Sequence, residues 1–328
     1  MIQPSPSIWF EDGNVVLIAE KTAFKVHRGQ LARHSEVFDG LFSLPVPMNS
    51  CESFDGCPSV QMHGDQARDW RYFLGAIYDG LYFPIPRQND FPLVSSVLRL
   101  STKYLVEPLR VRCLARLQYD YPPDLSTWDQ REQEATNEEG YYSPRDQYAH
   151  PIRVIQLSIE LGLPDVLPAA FYDLSRYGPS RIVEGSHIKD ANLALPLPLV
   201  ARTLRGRELA QEFLAKFILG ERAPSELCTT PSLCAQSLYF ITLNLLRAVG
   251  GLAAGRDADP LYTLIQALDM LERSDFETAS GGRGQSLHIC PPCKVMFASE
   301  CLSKRLEAWK CIPDWFMLEK ERRDSKSE

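Results

Sequence analysis

The sequence predicts an α+β domain at the N-terminus followed by an all-helical domain at the C-terminus. Three patterns carry that expectation. Ala23-Phe24-Lys25-Val26-His27 alternates apolar and polar residues with the period of a half-buried strand. Directly after it, Leu31, Val37, Phe38, Leu41 and Phe42 recur at three- and four-residue spacings. From His150 onward helical spacing persists, with no strand pattern of comparable strength. A chain of 328 residues is long for one core, so two domains are expected.

Taken in order, Asp12-Gly13-Asn14 is a turn signal feeding a strand at Val15-Val16-Leu17-Ile18, with Glu20-Lys21 as the hairpin turn into the next strand. Ser35 before Glu36 supplies an N-cap that restarts a second short helix. Ser43 to Ser59, rich in Pro and small residues, predicts a loop, and Val60-Gln61-Met62 a third short strand. Asp65 is expected to cap a helix whose stripe is Trp70, Phe73, Leu74, Ile77, Tyr78 and Leu81, closed by Gly80 in the left-handed conformation. Asp90–Leu100 and Val106–Leu117 follow as helices, with Val94, Val97, Leu98, Leu109, Cys113 and Leu117 inward.

Asp12, Phe24, Val26, His27, Leu31, Ser35 and Phe38, at these spacings, resemble the start of a BTB/POZ domain. That family has a strand beginning with Asp, a Phe-x-Val-His strand and a Leu-x-x-x-Ser-x-x-Phe helix. The Ile-Tyr-Asp-Gly at 77–80 and the Lys103-Tyr104 pair between two helices continue the likeness, which extends to the BTB-domain proteins abundant in filamentous and mushroom-forming fungi. The resemblance implies a protein-interaction module, an adaptor or assembly protein, that forms a homodimer or binds partners through its helices and strand edge. Some members recruit substrates to cullin-3 ligases. Their hydrophobic-x-Glu element has no clean counterpart between Ser43 and Ser59, where Ser50 precedes Glu52 by two residues.

The BTB-like domain is expected over residues 1–121 and an acidic, flexible connector over 122–149, where Glu132, Glu134, Glu138 and Glu139 cluster. The helical domain then covers 150–328. Ile152, Ile155, Ile159 and Leu163 share its first face, Val166–Ser175 continues the hairpin, and further helices are placed at 196–204, 207–219, 232–253, 259–273 and 291–310.

An apolar content of 45% excludes global disorder, and a net charge of -7 without a basic cluster argues against a nucleic-acid-coating surface. MIQPSPSIWFEDG lacks the pattern of a signal peptide, so an intracellular protein, cytoplasmic or nuclear, is expected. Ser232 to Gly255 is long enough to span a bilayer. Gln236, Asn244 and Arg247 interrupt it, and an Arg near mid-span costs ~2.5–3.5 kcal/mol. A core helix is the better account, and no membrane partner is expected.

No catalytic constellation is legible, and an enzyme is not expected. His27 falls at a strand-to-helix junction, where its role is to satisfy backbone groups. His34, His63, His150 and His187 stand alone, and Gly281-Gly282-Arg283-Gly284 lacks the Lys-Ser/Thr of a phosphate loop. Nine cysteines without a secretory leader point to thiols or metal ligands rather than disulfides. Cys290-Pro-Pro-Cys293 has the spacing of a thiol redox motif, which needs a strand before it, and only Leu287–Ile289 is left for one.

The alternative chemistry is a structural zinc site. Cys228-x5-Cys234 and Cys290-x2-Cys293 each stand before a predicted helix, and two such pairs supply four tetrahedral thiolates; His288 or Cys301 could replace one. A rival functional class is a transcription regulator using the Cys-rich end. Its recognition helix would carry Lys294, Lys304, Arg305 and Lys310, but Glu300, Glu307 and an apolar stripe on that helix favour packing.

Overall fold

The computed structural model describes residues 1–44, 53–84, 88–188, 191–246, 249, 256, 259–272 and 287–318. Two compact units emerge. One is Met1–Pro122 with Asp129–His150; the other is Pro123–Trp128 with Pro151–Glu328.

The first unit opens with strands β1 (Gln3–Trp9), β2 (Val15–Ala19) and β3 (Thr22–Val26), then helices α1 (Arg28–His34) and α2 (Glu36–Ser43). Strands β4 (Ser53–Phe54) and β5 (Cys57–Gln61) follow, then α3 (Ala67–Tyr78), α4 (Phe91–Lys103) and α5 (Glu107–Asp120). The sheet order is β1-β3-β2-β5-β4. The predicted hairpin is present, Ala19 facing Thr22 across Glu20-Lys21, with Glu20 in the left-handed region at φ 53. Every residue of β2 is buried, as befits a strand covered on both faces.

Strand β1 was not expected. It pairs in parallel with β3, so its partner is set by the fold and not by a local turn. It also buries Ile8, while Phe10 stacks on Tyr78 at 4.5 Å. Ile8 is thus buried and Trp9 and Phe10 half-buried against their own domain.

Helix α2 starts as predicted, with the Ser35 side chain accepting from the Phe38 N–H at 3.2 Å. The same hydroxyl donates to the Tyr104 carbonyl at 2.6 Å, tying the α1–α2 corner to the α4–α5 junction. Phe38, Trp70, Phe73 and Tyr104 form one aromatic cluster, Tyr104 stacking on Phe38 at 4.8 Å. Asp65 does not cap α3, whose N-cap is Gln66. Its carboxylate instead accepts from Trp70 Nε1, Tyr104 OH and Lys103 Nζ, three donors that outcompete one helix N–H. Gly80, at φ 86, ends the helix in the left-handed region that glycine adopts at no steric cost.

The segment expected to be an acidic flexible connector, 122–149, is packed structure. Helix α6 (Leu125–Glu134) and helix α7 (Pro144–Gln147) occupy it, and Trp128, Arg131 and Tyr148 are buried. Arg131 donates to the Asp120 carbonyl at 2.7 Å and to Glu132 at 2.6 Å, with its guanidinium over the Tyr148 ring at 4.7 Å. Part of the acidic charge therefore serves to neutralise a buried cation, which burial permits only when it is paired.

The second unit contains α8 (Pro151–Glu160), α9 (Leu167–Ser175), α10 (Pro179–Glu184), a hairpin of β6 (Ser186–Ile188) and β7 (Ala191–Leu193), α11 (Leu197–Leu219), α12 (Pro231–Leu245), α13 (Pro260–Glu272) and α14 (Pro291–Trp315). Among its described residues the unit is helical apart from that hairpin, which sequence periodicity did not show. Ile152 and Ile155 face inward, but Ile159 is 46% exposed. The helices expected at 196–204 and 207–219 are one. Gly206 does not break α11; a Cβ there would overlap the Phe316 ring, so the glycine admits that ring against the helix backbone. The predicted C-terminal end of α12, at 247–253, lies largely outside the described residues, as do Gly281–Gly284 and Glu52.

Candidate metal centre

The four cysteines converge. Cys228 lies in the turn before α12 and Cys234 in that helix's first turn, while Cys290 is the N-cap of α14 and Cys293 is in its first turn. Proline at the start of each helix, Pro231 and Pro291-Pro292, sets φ for helix entry where no N–H partner is needed. All four sulfurs lie within 4.8 Å of one another, and Cys228 and Cys290 are 3.6 Å apart. Cys234, Cys290 and Cys293 are buried and Cys228 is half-buried. Leu238, Ile241, Leu264, Ile289 and Phe297 belong to the apolar core they join.

Backbone donors point at this cluster. The Ser225 N–H donates to Cys293 Sγ and the Cys290 N–H to Cys234 Sγ, both at 3.3 Å. The Cys290 sulfur lies 3.6 Å from that of Cys228. The Cys293 N–H lowers the Cys290 thiol to about 6, whereas burial raises Cys228 to about 12 and also raises Cys293. Two helix N-termini further favour negative sulfur here. Cys290 thus ionises more readily than Cys228 or Cys293, whose charged forms burial disfavours.

His288 and Cys301, the substitute ligands considered from sequence, are outside the group. The His288 backbone exchanges hydrogen bonds with Ser237 Oγ, at 3.0 and 3.3 Å. Leu287–Ile289 forms no strand, so the Cys-Pro-Pro-Cys segment lacks the strand a thiol redox site would sit on. Sequence reasoning found the thiols but missed the backbone donors of Ser225 and Cys290. No side-chain type announces an N–H, and only the helix-start prolines hinted at one.

His27 is at the strand-to-helix junction, but its side chain caps nothing. Its ring lies 3.0 Å from Tyr78 OH and 3.2 Å from Asp12, and its backbone N–H donates to the same hydroxyl at 2.9 Å. That arrangement locks β3 to α3 and to the turn before β2. Three of the four basic residues named on α14 are engaged within the unit: Arg305 is buried and donates to the Leu261 carbonyl, Lys294 pairs with Glu272, and Lys304 with Glu307.

Residues 11–121 match the BTB/POZ domain family, and the N-terminal unit therefore carries a BTB domain. No curated protein matches the chain. Among the described residues no helix is long and apolar enough to cross a membrane.

Proposed function

We propose that the protein is an interaction module, an adaptor or assembly factor that acts through its BTB domain. The observation that carries this reading is the BTB match over 11–121, which lies within the folded sheet-and-helix unit Met1–Pro122 with Asp129–His150. Binding rather than catalysis is the role we assign it. Val37, Leu41 and Leu44 add local support: spaced four and three apart along and just past α2, they are 38%, 38% and 65% exposed and make an apolar ridge.

Self-association into a homodimer is the simplest use of that ridge. Light scattering of the full chain at micromolar concentration should give about twice the 37.1 kDa monomer mass, and Leu41→Asp should return it to the monomer. A monomeric wild-type chain removes the homodimer and leaves heterotypic binding, to be sought by affinity purification with wild type and Leu41→Asp side by side. Service to a cullin-3-type ligase is a narrower form of the same reading, tested by adding purified cullin-3 to the chain.

The thiol cluster enters this reading as a structural zinc centre of the helical unit, not as a catalytic one. Regulation of transcription through the Cys-rich end is the second reading, to which the cluster is equally suited. Binding of the full chain to a random duplex library would favour it.

A further inference from the structure

We propose that Cys228, Cys234, Cys290 and Cys293 bind one Zn2+ as a tetrahedral four-thiolate site, and that this ion holds the loop 221–230 onto the entrance of α14. The first half deepens the structural role assigned to the cluster above; the second gives that ion a specific task. Both rest on geometry.

Zinc bound to thiolates at ~2.3 Å places its sulfurs about 3.8 Å apart. The observed spread, with one pair at 3.6 Å and none beyond 4.8 Å, needs only small side-chain rotations to reach that tetrahedron. An iron–sulfur cluster interposes inorganic sulfide between its ligands and requires wider spacing than this. The four residues are free thiols, and a disulfide between the nearest pair would have to close from 3.6 Å to ~2.05 Å. On binding, each thiol gives up its proton and the site carries two net negative charges, which the backbone donors and helix N-termini offset. An all-sulfur tetrahedral set with no carboxylate or open position selects zinc over calcium or magnesium and suits structure rather than hydrolysis.

The loop is where the ion matters most. No residue of 221–230 belongs to the fully buried core, and Leu227 is 76% exposed; Cys228 packs against the core from its edge and Arg222 lies over the Phe217 ring near the start of the loop. Its described links to α14 are the Ser225 N–H on Cys293, the approach of Cys228 to Cys290, and the Arg222 side chain, which is 8% exposed, pairs with Glu300 at 3.6 Å and lies over the Phe297 ring at 5.7 Å. Sulfur–hydrogen contacts of this kind are weak. Four metal–thiolate bonds would be the strongest cross-link in the region.

The test uses the full chain purified without chelator. Elemental analysis should find about one zinc per chain. Cys290→Ser with Cys293→Ser should lose it, while Cys301→Ser and Cys113→Ser should keep it. Should the double variant fail to fold, cobalt substitution of the wild type decides instead, through the intense visible bands of a tetrahedral site with thiolate charge transfer. Stripping the zinc should speed cleavage after Glu226 by at least about tenfold, and restoring zinc should reverse this. Zinc below about a tenth of an equivalent with no cobalt spectrum, stoichiometric iron instead, or zinc retained in a folded double variant would overturn the site. Zinc bound with unchanged loop cleavage would overturn the loop's dependence on it. Neither result bears on partner binding by the BTB domain.

Discussion

The two units solve the problem of a folded interior differently. In the BTB unit, a strand buried along its whole length and four touching aromatic rings, Phe38, Trp70, Phe73 and Tyr104, make a core that is apolar at its centre. In the helical unit one core cluster includes four sulfurs drawn from segments more than fifty residues apart, with peptide N–H groups aimed at them. The first core is stabilised by area removed from water, which any ring of suitable shape can supply. The second adds to its apolar side chains four sulfurs, which the proposed zinc would tie together. Sensitivity to side-chain volume should therefore mark the first region, and sensitivity to chelation the second.

The largest expected effect probes the aromatic core. Trp70→Ala or Phe38→Ala should each cost ~3–5 kcal/mol in the BTB unit while zinc content stays at the wild-type level. Loss of zinc in either variant would show that the two cores do not stand alone. Next, Gly206→Ala should destabilise the helical unit by ~1–3 kcal/mol, because the added methyl meets the Phe316 ring; denaturant melts of zinc-loaded protein measure it, and no loss would mean the ring can move aside. Ser35→Ala should cost the BTB unit about 1–2 kcal/mol, since one buried hydroxyl serves as both cap and cross-link.

The smallest effect is one of pH. Burial raises the Asp120 carboxyl to about 6, above the usual 3.8, against the pull of Arg116. The folded chain therefore holds a proton between about 4 and 6 that the unfolded chain has released. The stability this group contributes is largest at the acid end of that window and falls as pH rises through about 6. Asp120→Asn should flatten that part of the stability–pH curve for the BTB unit. An unchanged slope would show that Arg116 keeps the carboxylate ionised throughout.

Much of the first unit was legible because its signals are local: the β2–β3 hairpin, the Ser35 cap and the Trp70 stripe each lie within one short window. Strand β1 was not, because a parallel partner leaves no turn signature and prolines at 4 and 6 disguise the alternation. Residues 122–149 were misread for a different reason. Their glutamates outweigh Trp128, Arg131 and Tyr148 in any compositional average, and burial of Arg131 becomes intelligible only once Asp120 and Glu132 are beside it. The thiol site lies between these cases. Each cysteine pair is visible as spacing, whereas the meeting of the pairs is a property of the folded helices α12 and α14.

Helix α14 has a fixed point at each end. Cys290 and Cys293 hold its entrance, and Phe316, just past its last turn, fills the notch that Gly206 leaves on α11. Between them run 25 residues, about 37 Å at 1.5 Å per residue. Adding or removing one residue would turn one end against the other by about 100° and slide it by about 1.5 Å, so thiols and ring could not both stay seated. The helix behaves as a gauge whose length is set by its two stops. Substitutions along its exposed side should be tolerated where a single-residue insertion or deletion is not.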